Sequence, residues 1–451
     1  MSTQKITYKK INIFEEQTPD KYIGIAEDVE KWLKRYEVKK SKGKSWKISS
    51  GEGSSDGDEL AGKLTDRTIY SGAAGIGYFY IQLYEATGKK EYLEEAVEAG
   101  EYLLDTFTPE LGKKPGIHTG LSGEGLFAEL LYKKTGEEKY REYAKKAGDT
   151  VYEQAVHEDG TIHWYNLIDY MGDGSTVAYW IYLAEITGEK KYLQYAKEAL
   201  DYIISLVVNN DDGTVNWNFL EINNYFKNLP SGGVIPNFAH GTAGIVYLLT
   251  KYYEATKDDY YLSYAVKGFD FLEKIAVKDG NAAIVPYIYW KDTGEHFDVF
   301  YLSLCHGPVG EGVVAKELFK ATGDDRYIKF YRQQTEALIK AGAERKWSPG
   351  YWNDCVCCGA AGVLLHFADG ITTAGDEIYK QKAIETSGKL IGDAFRDGKG
   401  TRWYNAWTRV MPWNVDAYLG YYIGAAGVAG SLLSLYGKLE NKEVTSIFEF
   451  L

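Results

Sequence analysis

Gly72-Ala73-Ala74-Gly75-Ile76-Gly77 begins a unit that recurs throughout this sequence. An apolar segment follows it, and the turn Thr87-Gly88-Lys89-Lys90-Glu91-Tyr92 then leads into a segment that alternates charged residues with tyrosine, leucine and alanine. This order is typical of a helical hairpin, because small residues allow helices to approach each other and a glycine turn ends the first helix. A helix that is apolar all round is buried, whereas one with a charged stripe has a solvated face.

The hairpin unit opens seven times in 451 residues. After the first opening at residues 72–75, the others lie at residues 120–123, 172–175, 241–244, 307–310, 359–362 and 424–427. A similar turn follows the first five openings, no such turn is visible after the sixth, and the seventh unit ends the sequence. Repeated apolar helices with amphipathic partners stack into an open solenoid or close into a ring.

An amphipathic pattern at residues 19–38 predicts one more helix, which would supply the seventh outer helix. With equal numbers of inner and outer helices, we expect an all-α protein. Its fold would be a closed α/α toroid, or double-layer barrel, of seven helical hairpins whose inner helices open with G-x-x-G. Residues 1–66 would contribute the N-terminal helix and a Gly/Ser/Lys-rich loop at 39–62, and residues 67–451 would form the toroid.

The composition narrows the classes of function. A hydrophobic content of 45% is ample for a large core, and the net charge of −13 argues against nucleic acid as a partner. The first residues lack the apolar core of a signal peptide, and no run of about 18 apolar residues predicts a transmembrane segment. Four cysteines in two clusters favour a reducing, cytoplasmic location.

All four cysteines lie within residues 304–310 and 355–362. Three thiolates with one open position would hold a zinc ion that binds and activates a substrate. Two other interpretations stay open on the residues alone: a redox pair, as in C-x-x-C motifs, and small buried thiols in a helical core.

Further chemically active side chains precede the glycine openings, as the cysteines do. They are His118, Asp169, His240 and His306. If the helix starts ring one mouth of a toroid, these side chains point towards a common centre. His118, and His366 within an inner helix, are more typical of structural histidines.

Two long segments between the units, 208–238 and 276–303, should fold over the same mouth. They would either line a groove for a peptide-like substrate or pack the loops themselves. Their aromatic residues include Trp217, Phe219, Tyr225, Phe226, Tyr287, Tyr289 and Trp290.

Three loop motifs give the sequence a family resemblance. Ala239-His240-Gly241, Cys305-His306-Gly307 and Cys357-Cys358-Gly359, with the repeated G-x-x-G hairpins, resemble the lanthionine synthetase C-like proteins over roughly residues 67–435. The resemblance implies an α/α toroid and one Zn²⁺ ion. The implied zinc ligands are Cys305, Cys357 and Cys358, with Cys358 in place of the family's usual histidine; Cys355 is then a bystander or an alternative ligand.

The implied chemistry is a thiol addition. Zinc would bind a substrate cysteine as thiolate, which adds to a dehydroalanine or dehydrobutyrine and forms a thioether of the lanthionine type. His240 would serve as the acid/base group, Asp169 would orient it, and His306 could assist. The expected partner is a dehydrated precursor peptide, which a separate dehydratase would supply, or a small thiol such as glutathione.

Two other classes of function compete with this interpretation. A carbohydrate-active α/α barrel shares the hairpin architecture, although it would use paired carboxylates and would not need clustered cysteines. A noncatalytic, zinc-stabilised scaffold could bind a peptide or signalling partner, and a closed metal site would favour it.

Overall fold

The computed structural model describes residues 18–48, 64–165, 168–220, 228–346, 353–407 and 411–451. Fourteen α-helices lie within these residues, in two layers. The inner helices are α2 (Ala73–Thr87), α4 (Leu121–Thr135), α6 (Thr176–Thr187), α8 (Thr242–Thr256), α10 (Pro308–Thr322), α12 (Ala360–Thr373) and α14 (Ala425–Glu440). The outer helices are α1 (Pro19–Leu33), α3 (Lys90–Asp105), α5 (Glu138–Glu153), α7 (Lys191–Ser205), α9 (Asp259–Ile275), α11 (Asp325–Ala341) and α13 (Glu377–Asp393).

The inner helices form a closed ring. Each contacts the next inner helix along the chain, and α14 contacts α2. Six outer helices pack against the inner helix of their own hairpin, while α1 packs against α14 and gives the last inner helix its outer partner. The prediction of a closed α/α toroid with seven hairpins is confirmed. None of the helices in the described part of the chain is both long enough and apolar enough to span a membrane.

The threonine-glycine turn between inner and outer helices has a defined hydrogen-bond pattern. At the first turn, Thr87 Oγ1 donates to the carbonyl of Leu83 (2.6 Å) and accepts from the amide of Lys89 (3.3 Å). Gly88 ends α2 in the left-handed region with φ 72°, which glycine adopts at no steric cost. The sixth hairpin, where the sequence showed no such turn, uses a variant with one inserted residue: Gly375 takes φ 76° and α13 begins two residues later.

The predicted helix at residues 19–38 is too long. Helix α1 ends at Leu33, a single 3-10 turn covers Lys34–Tyr36, and β1 (Glu37–Lys39) then pairs with β2 (Lys44–Trp46). In this hairpin Trp46 is completely buried against the ring of Tyr80, with the ring centroids 6.3 Å apart. A helix that continued to residue 38 would not place Trp46 in this position. The loop predicted at 39–62 therefore begins as a β-hairpin, and residues 49–63 lie outside the described part.

Small antiparallel β-hairpins follow most outer helices. They are β3 (Val156–Glu158) with β4 (Thr161–His163), β5 (Val208–Asn209) with β6 (Val215–Asn216), β8 (Val277–Asp279) with β9 (Ala282–Ile284), and β12 (Phe395–Asp397) with β13 (Gly400–Arg402). A three-stranded sheet joins β7 (Gly233–Val234), β10 (Tyr289–Trp290) and β11 (Glu295–His296), and β14 (Asn405–Trp407) pairs with β15 (Met411–Asp416). Most of these strands are two or three residues long, too short for a periodic sequence signal.

The last residues of the chain cover the end of the ring opposite the glycine openings. The hydroxyl of Tyr78 donates to the carbonyl of Thr445 (2.9 Å), and Gln82 Nε2 donates to the same oxygen (2.7 Å). The hydroxyl of Tyr247 donates to the carbonyl of Leu451, which is buried. At this end Glu449, Phe450 and Leu451 line a cavity of about 540 Å³ together with residues of α4, α6 and α8. The candidate residues lie at the opposite mouth.

Candidate metal and proton-transfer site

The loops that enter the inner helices are joined to one another by backbone hydrogen bonds. Six amides donate to six carbonyls in succession: Tyr70 to His118 (2.9 Å), Tyr422 to Tyr70 (2.9 Å), Cys357 to Tyr422 (3.0 Å), Cys305 to Cys357 (3.2 Å), Ala239 to Cys305 (3.0 Å) and Met171 to Ala239 (2.8 Å). Between the second and third loops, the amide of Ile117 donates to Ser175 Oγ (2.9 Å). All seven loops are thus linked around the mouth.

Position relative to the helix-capping glycine decides which residues face the centre. Cys305 and Cys357 stand two residues before Gly307 and Gly359, as Tyr70 stands two before Gly72. The glycine is required for this packing, since a Cβ on Gly307 or Gly359 would strike a backbone carbonyl of its own loop. The repeat therefore delivers equivalent positions from distant parts of the sequence to one place.

The structure brings Cys305, Cys357 and Cys358 into one buried cluster. The sulfur of Cys358 lies 3.3 Å from that of Cys305 and 3.5 Å from that of Cys357, and all three sulfurs lie within 4.8 Å of one another. Tetrahedral zinc with Zn–S bonds of about 2.3 Å spaces its sulfur ligands by roughly 3.8 Å. The donor set therefore fits a zinc ion with one open position, and these residues could hold a metal ion.

Cys355 lies outside the group of three. Its sulfur accepts the amide of Cys358 (3.5 Å), and burial raises the pKa of the thiol to about 12. Within the group, contacts with Cys305 and Cys358 lower the pKa of Cys357, while contacts with Cys305 and Cys357 raise the pKa of Cys358. The three thiols therefore titrate as a coupled group, as closely packed ionisable groups do.

Buried polar contacts fix the loop that carries Cys357 and Cys358. The amide of Cys355 donates to Asn353 Oδ1 (2.8 Å), and the amide of Asp354 donates to Asn405 Oδ1 (3.1 Å). Lys389 Nζ on α13 donates to Asp354 Oδ1 at 2.7 Å, and both residues are buried. A buried ion pair is costly to break from one side, so it holds the loop against its outer helix.

His240 and Asp169 form a hydrogen-bonded pair beside the sulfur cluster. His240 Nδ1 lies 2.8 Å from Asp169 Oδ2, and Asp169 Oδ1 accepts the amide of Gly172 at 2.7 Å. Asp169 is completely buried, whereas 29% of the His240 side chain is exposed. Burial alone would lower the pKa of His240, but the hydrogen bond and charge of Asp169, with the charge of Cys305, outweigh it and raise the pKa above its ordinary value.

His306 lies between this pair and the aromatic residues over the mouth. Its ring centroid is 5.4 Å from that of His240 and 4.8 Å from that of Tyr287, which it meets edge-on. Within the described residues, His306 Nε2 is buried and has no hydrogen-bond partner. This nitrogen therefore has an unused hydrogen-bonding capacity within the described residues.

The long segments between hairpins meet above His306. Strand β7 pairs with β10, and Tyr287, Tyr301, Ile288, Ile235 and Leu220 form a hydrophobic cluster separate from the main core. Of the aromatic residues predicted to lie in this region, Trp217 is buried, and its Nε1 donates a hydrogen bond to the carbonyl of Ile203 (2.7 Å). Trp290 Nε1 donates a hydrogen bond to the carbonyl of Pro230 (3.0 Å). These two pack the loops, Tyr287 contacts a candidate site residue, and Tyr225 and Phe226 lie outside the described part.

The two histidines expected to be structural are buried in aromatic surroundings. His118 is fully buried against Tyr422, with ring centroids 4.9 Å apart, and burial lowers its pKa to about 3. His366 Nε2 lies 2.9 Å from Thr335 Oγ1, and burial lowers its pKa to about 4. Both rings are neutral at pH 7, as in a packed core.

Comparison with known proteins identifies the family. The model of the family described as "Lanthionine synthetase C-like protein" matches residues 16–163 and 63–449. The chain belongs to this family. A search of curated protein sequences found no match.

Solved structures show the same fold in proteins of distant sequence. Nisin cyclase superposes with a TM-score of 0.66 at 14% identity, over 95% of this chain and 96% of that chain. Cellobiose 2-epimerase from Bacillus thermoamylovorans gives 0.50 at 11% identity, over 93% and 100% of the two chains. A possible member of the GH105 family from Klebsiella pneumoniae gives 0.50 at 10% identity, over 98% and 99%. The toroid is thus shared among proteins with different names, and the fold by itself does not settle the reaction.

Sequence reasoning on this lanthionine synthetase C-like chain missed three polar residues near the site. Glu311 on α10 accepts from Asn237 Nδ2 (3.1 Å) in the His240 loop, and burial raises its pKa to about 8, so it is neutral at pH 7. Ser303 Oγ lies 3.3 Å from Cys305 Sγ, and the side chain of Tyr70 interacts with that of Cys357. No sequence motif identifies these residues. For Tyr70 the available signal was its position two residues before a capping glycine, which matches the positions of Cys305 and Cys357.

Proposed function

We propose that this protein catalyses the addition of a thiol to a dehydroamino-acid residue of a peptide, which forms a thioether of the lanthionine type. The observation that carries the proposal is the convergence of a three-sulfur cluster and the Asp169–His240 pair at one mouth of the toroid. Membership of the lanthionine synthetase C-like family supports the same class of reaction.

Zinc is the metal that this donor set fits, with Cys305, Cys357 and Cys358 as ligands. When bound, the ion would lower the pKa of the substrate thiol in its open position, so that the thiolate is available at neutral pH. Since 29% of the His240 side chain is exposed beside the cluster, a substrate can reach this side of the site. A closed structural site would require a fourth protein ligand, whereas the group found in the described residues has three.

His240 is the proton carrier in this proposal. Its Nδ1 is committed to Asp169, so Nε2 is the atom that takes the proton of the incoming thiol. Asp169 acts through His240: it fixes the orientation of the ring and favours the protonated form that exists between the two proton transfers.

The atoms balance without an oxidant or a reductant. The substrate S–H bond breaks, a bond forms between sulfur and the β-carbon, and the electrons of the C=C bond move into an enolate. The proton on His240 then returns to the α-carbon, so the net change is the addition of one S–H across one C=C bond. We assign to His306 Nε2 the hydrogen bond to the enolate oxygen, because this buried nitrogen lies beside His240 and has no partner in the described structure.

The two competing functions fit the site less well. A carbohydrate-active barrel uses a pair of carboxylates, whereas here the carboxylate of Asp169 is occupied by His240 and by the amide of Gly172. A zinc-stabilised scaffold accounts for the sulfurs but leaves the hydrogen-bonded histidine beside them without a role. In the proposed function the peptide is dehydrated by a separate enzyme before it arrives.

The test uses the full-length, zinc-loaded protein and a synthetic peptide that contains one dehydroalanine and one cysteine. Intramolecular addition leaves the peptide mass unchanged but removes the thiol that an alkylating reagent would label. Added glutathione instead increases the mass by one glutathione, which distinguishes a small-thiol enzyme from a cyclase. Cys357→Ala serves as the inactive control, and failure of the zinc-loaded wild type to accelerate either reaction would contradict the proposal.

A further inference from the structure

An all-cysteine ligand set concentrates negative charge. Cys305, Cys357 and Cys358 would each bind a divalent metal as thiolate, and a substrate thiolate in the open position would add a fourth negative charge. A hydrogen bond donated to a thiolate sulfur withdraws part of this negative charge. Residues around metal ligands tune the basicity and the orientation of the ligands in this way. The hydroxyl groups beside the cluster are therefore the groups to consider.

The first hydroxyl belongs to Ser303. Its Oγ lies 3.3 Å from Cys305 Sγ and accepts the amide of His306 at 3.4 Å. A metal-bound thiolate has no proton to donate, so in that state the Ser303 hydroxyl is the donor and the sulfur is the acceptor. Ser303 is 1% exposed, so water does not compete for this contact.

The second hydroxyl belongs to Tyr70, in the loop before α2. Its side chain interacts with that of Cys357, and burial, followed by the charges of Cys357, Cys358 and Cys355, raises the pKa of Tyr70 well above its ordinary value. A phenol keeps its proton at pH 7 and can donate it in a hydrogen bond. Its ring is fixed by parallel stacking on Tyr422, with centroids 5.5 Å apart and an interplanar angle of 1°.

We propose that Ser303 and Tyr70 set the donor strength of the metal site by hydrogen bonding to the sulfurs of Cys305 and Cys357. The inference rests on the proposed function, since it requires a metal in the three-cysteine site. Two of the three ligand sulfurs then carry a hydroxyl donor, one from a neighbouring position in the same loop and one from a loop more than 200 residues earlier in the sequence. Without these hydrogen bonds, the additional negative charge on the ligand sulfurs would repel the incoming substrate thiolate.

Cobalt(II) is the probe, because its sulfur-to-metal charge-transfer absorption reports directly on the electron density at the ligand sulfurs. In the full-length protein with Co²⁺ in place of Zn²⁺, Tyr70→Phe and Ser303→Ala should each move this absorption to longer wavelength, and the double variant should move it further. Zinc affinity, measured by competition with a chromophoric chelator, should fall by roughly 10- to 100-fold.

Tyr422→Phe is the matched control. It removes a buried hydroxyl from the same aromatic stack, and that hydroxyl has no hydrogen-bond partner in the described structure. The charge-transfer absorption of this variant should stay at the wild-type wavelength. If Tyr70 only packed against its neighbours, Tyr70→Phe and Tyr422→Phe should have similar effects. The charge-transfer absorption would then not shift consistently to longer wavelength in Tyr70→Phe alone.

The outcomes separate the two proposals. If wild-type protein binds Co²⁺ without sulfur charge-transfer absorption, the metal site of the proposed function is wrong. If the absorption is present but stays unshifted in both Ser303→Ala and Tyr70→Phe, the hydrogen-bond inference is overturned and the metal site stands. Ser303→Ala removes a single oxygen atom and provides the decisive result if Tyr70→Phe does not fold.

Discussion

Two arcs of the same ring carry different chemistry on equivalent backbone positions. The reactive arc comprises the loops before α8, α10 and α12, with His240, Cys305, His306, Cys357 and Cys358. The aromatic arc comprises the loops before α14, α2 and α4, where Tyr422 packs against both Tyr70 and His118. Both arcs share the capping glycines and the chain of backbone hydrogen bonds. The repeat therefore supplies the geometry, while the two residues before each capping glycine determine the chemistry of that position.

The largest expected effect comes from removing a ligand in the reactive arc. Cys357→Ala takes one of three sulfurs from the cluster, so bound zinc should fall to background in the purified protein and thiol addition should become undetectable. Metal analysis and the alkylation assay are the measurements. Tyr422→Phe, two residues before its own capping glycine in the aromatic arc, is the control and should keep its zinc. Full zinc occupancy in Cys357→Ala would contradict the assignment of this ligand.

His240→Ala should leave the metal and remove the proton carrier. Loss of a positioned acid/base group typically lowers the rate by about 100- to 10,000-fold. Zinc content should equal that of the wild type, because His240 is bonded to Asp169 and is not part of the sulfur cluster. Zinc loss in this variant would instead make His240 a fourth ligand and the site structural.

Asp169→Asn should produce a smaller loss of rate together with a shift in its pH dependence. His240 must be neutral to accept the thiol proton, so activity should rise as pH increases through its raised pKa. Removing the Asp169 charge leaves burial as the dominant influence, which lowers the pKa of His240 and should move the rising limb of the profile to lower pH. The measurement is kcat/KM against pH with the metal content held constant. If the rising part of the pH profile stays at the wild-type pH in Asp169→Asn, a group other than His240 controls it.

The smallest effect is expected at Cys355, which belongs to the reactive arc by sequence but lies outside the sulfur group. Cys355→Ala removes one buried atom that accepts the amide of Cys358, so the free energy of unfolding should fall by about 1 kcal/mol and zinc occupancy should persist. Denaturant unfolding and metal analysis check the two parts. If Cys355→Ala lost its zinc while Cys358→Ala retained it, Cys355 would be the zinc ligand and Cys358 would not.

The repeat and the reactive arc could be predicted because each depends on local sequence. The spacing between glycine openings predicted the inner helices, and the residues just before each glycine predicted which side chains share the mouth. The pairing of Asp169 with His240, 71 residues apart, was suggested through the resemblance and is seen as a hydrogen bond. The catalytic roles and the division of the chain at residue 66 stay predictions.

Other features could not be read from sequence, for physical reasons. Tyr70, Ser303 and Glu311 act through contacts between loops, and nothing in their own neighbourhood distinguishes them from ordinary packing residues. The early end of α1 at Leu33 is caused by Trp46, whose burial against Tyr80 favours a strand over a longer helix. The short β-hairpins contain too few residues to produce an alternating pattern.

The contact between α1 and α14 has a consequence for the order of events during synthesis. Helix α1 is synthesised before α14, and the two are separated by roughly 400 residues, which corresponds to about 20–80 s of translation at ordinary rates. Until then the emerging chain is an arc whose two ends expose apolar faces. The ring closes when a late helix meets an early one, so the last step of assembly is a long-range docking in which the nascent chain becomes protected from aggregation all at once.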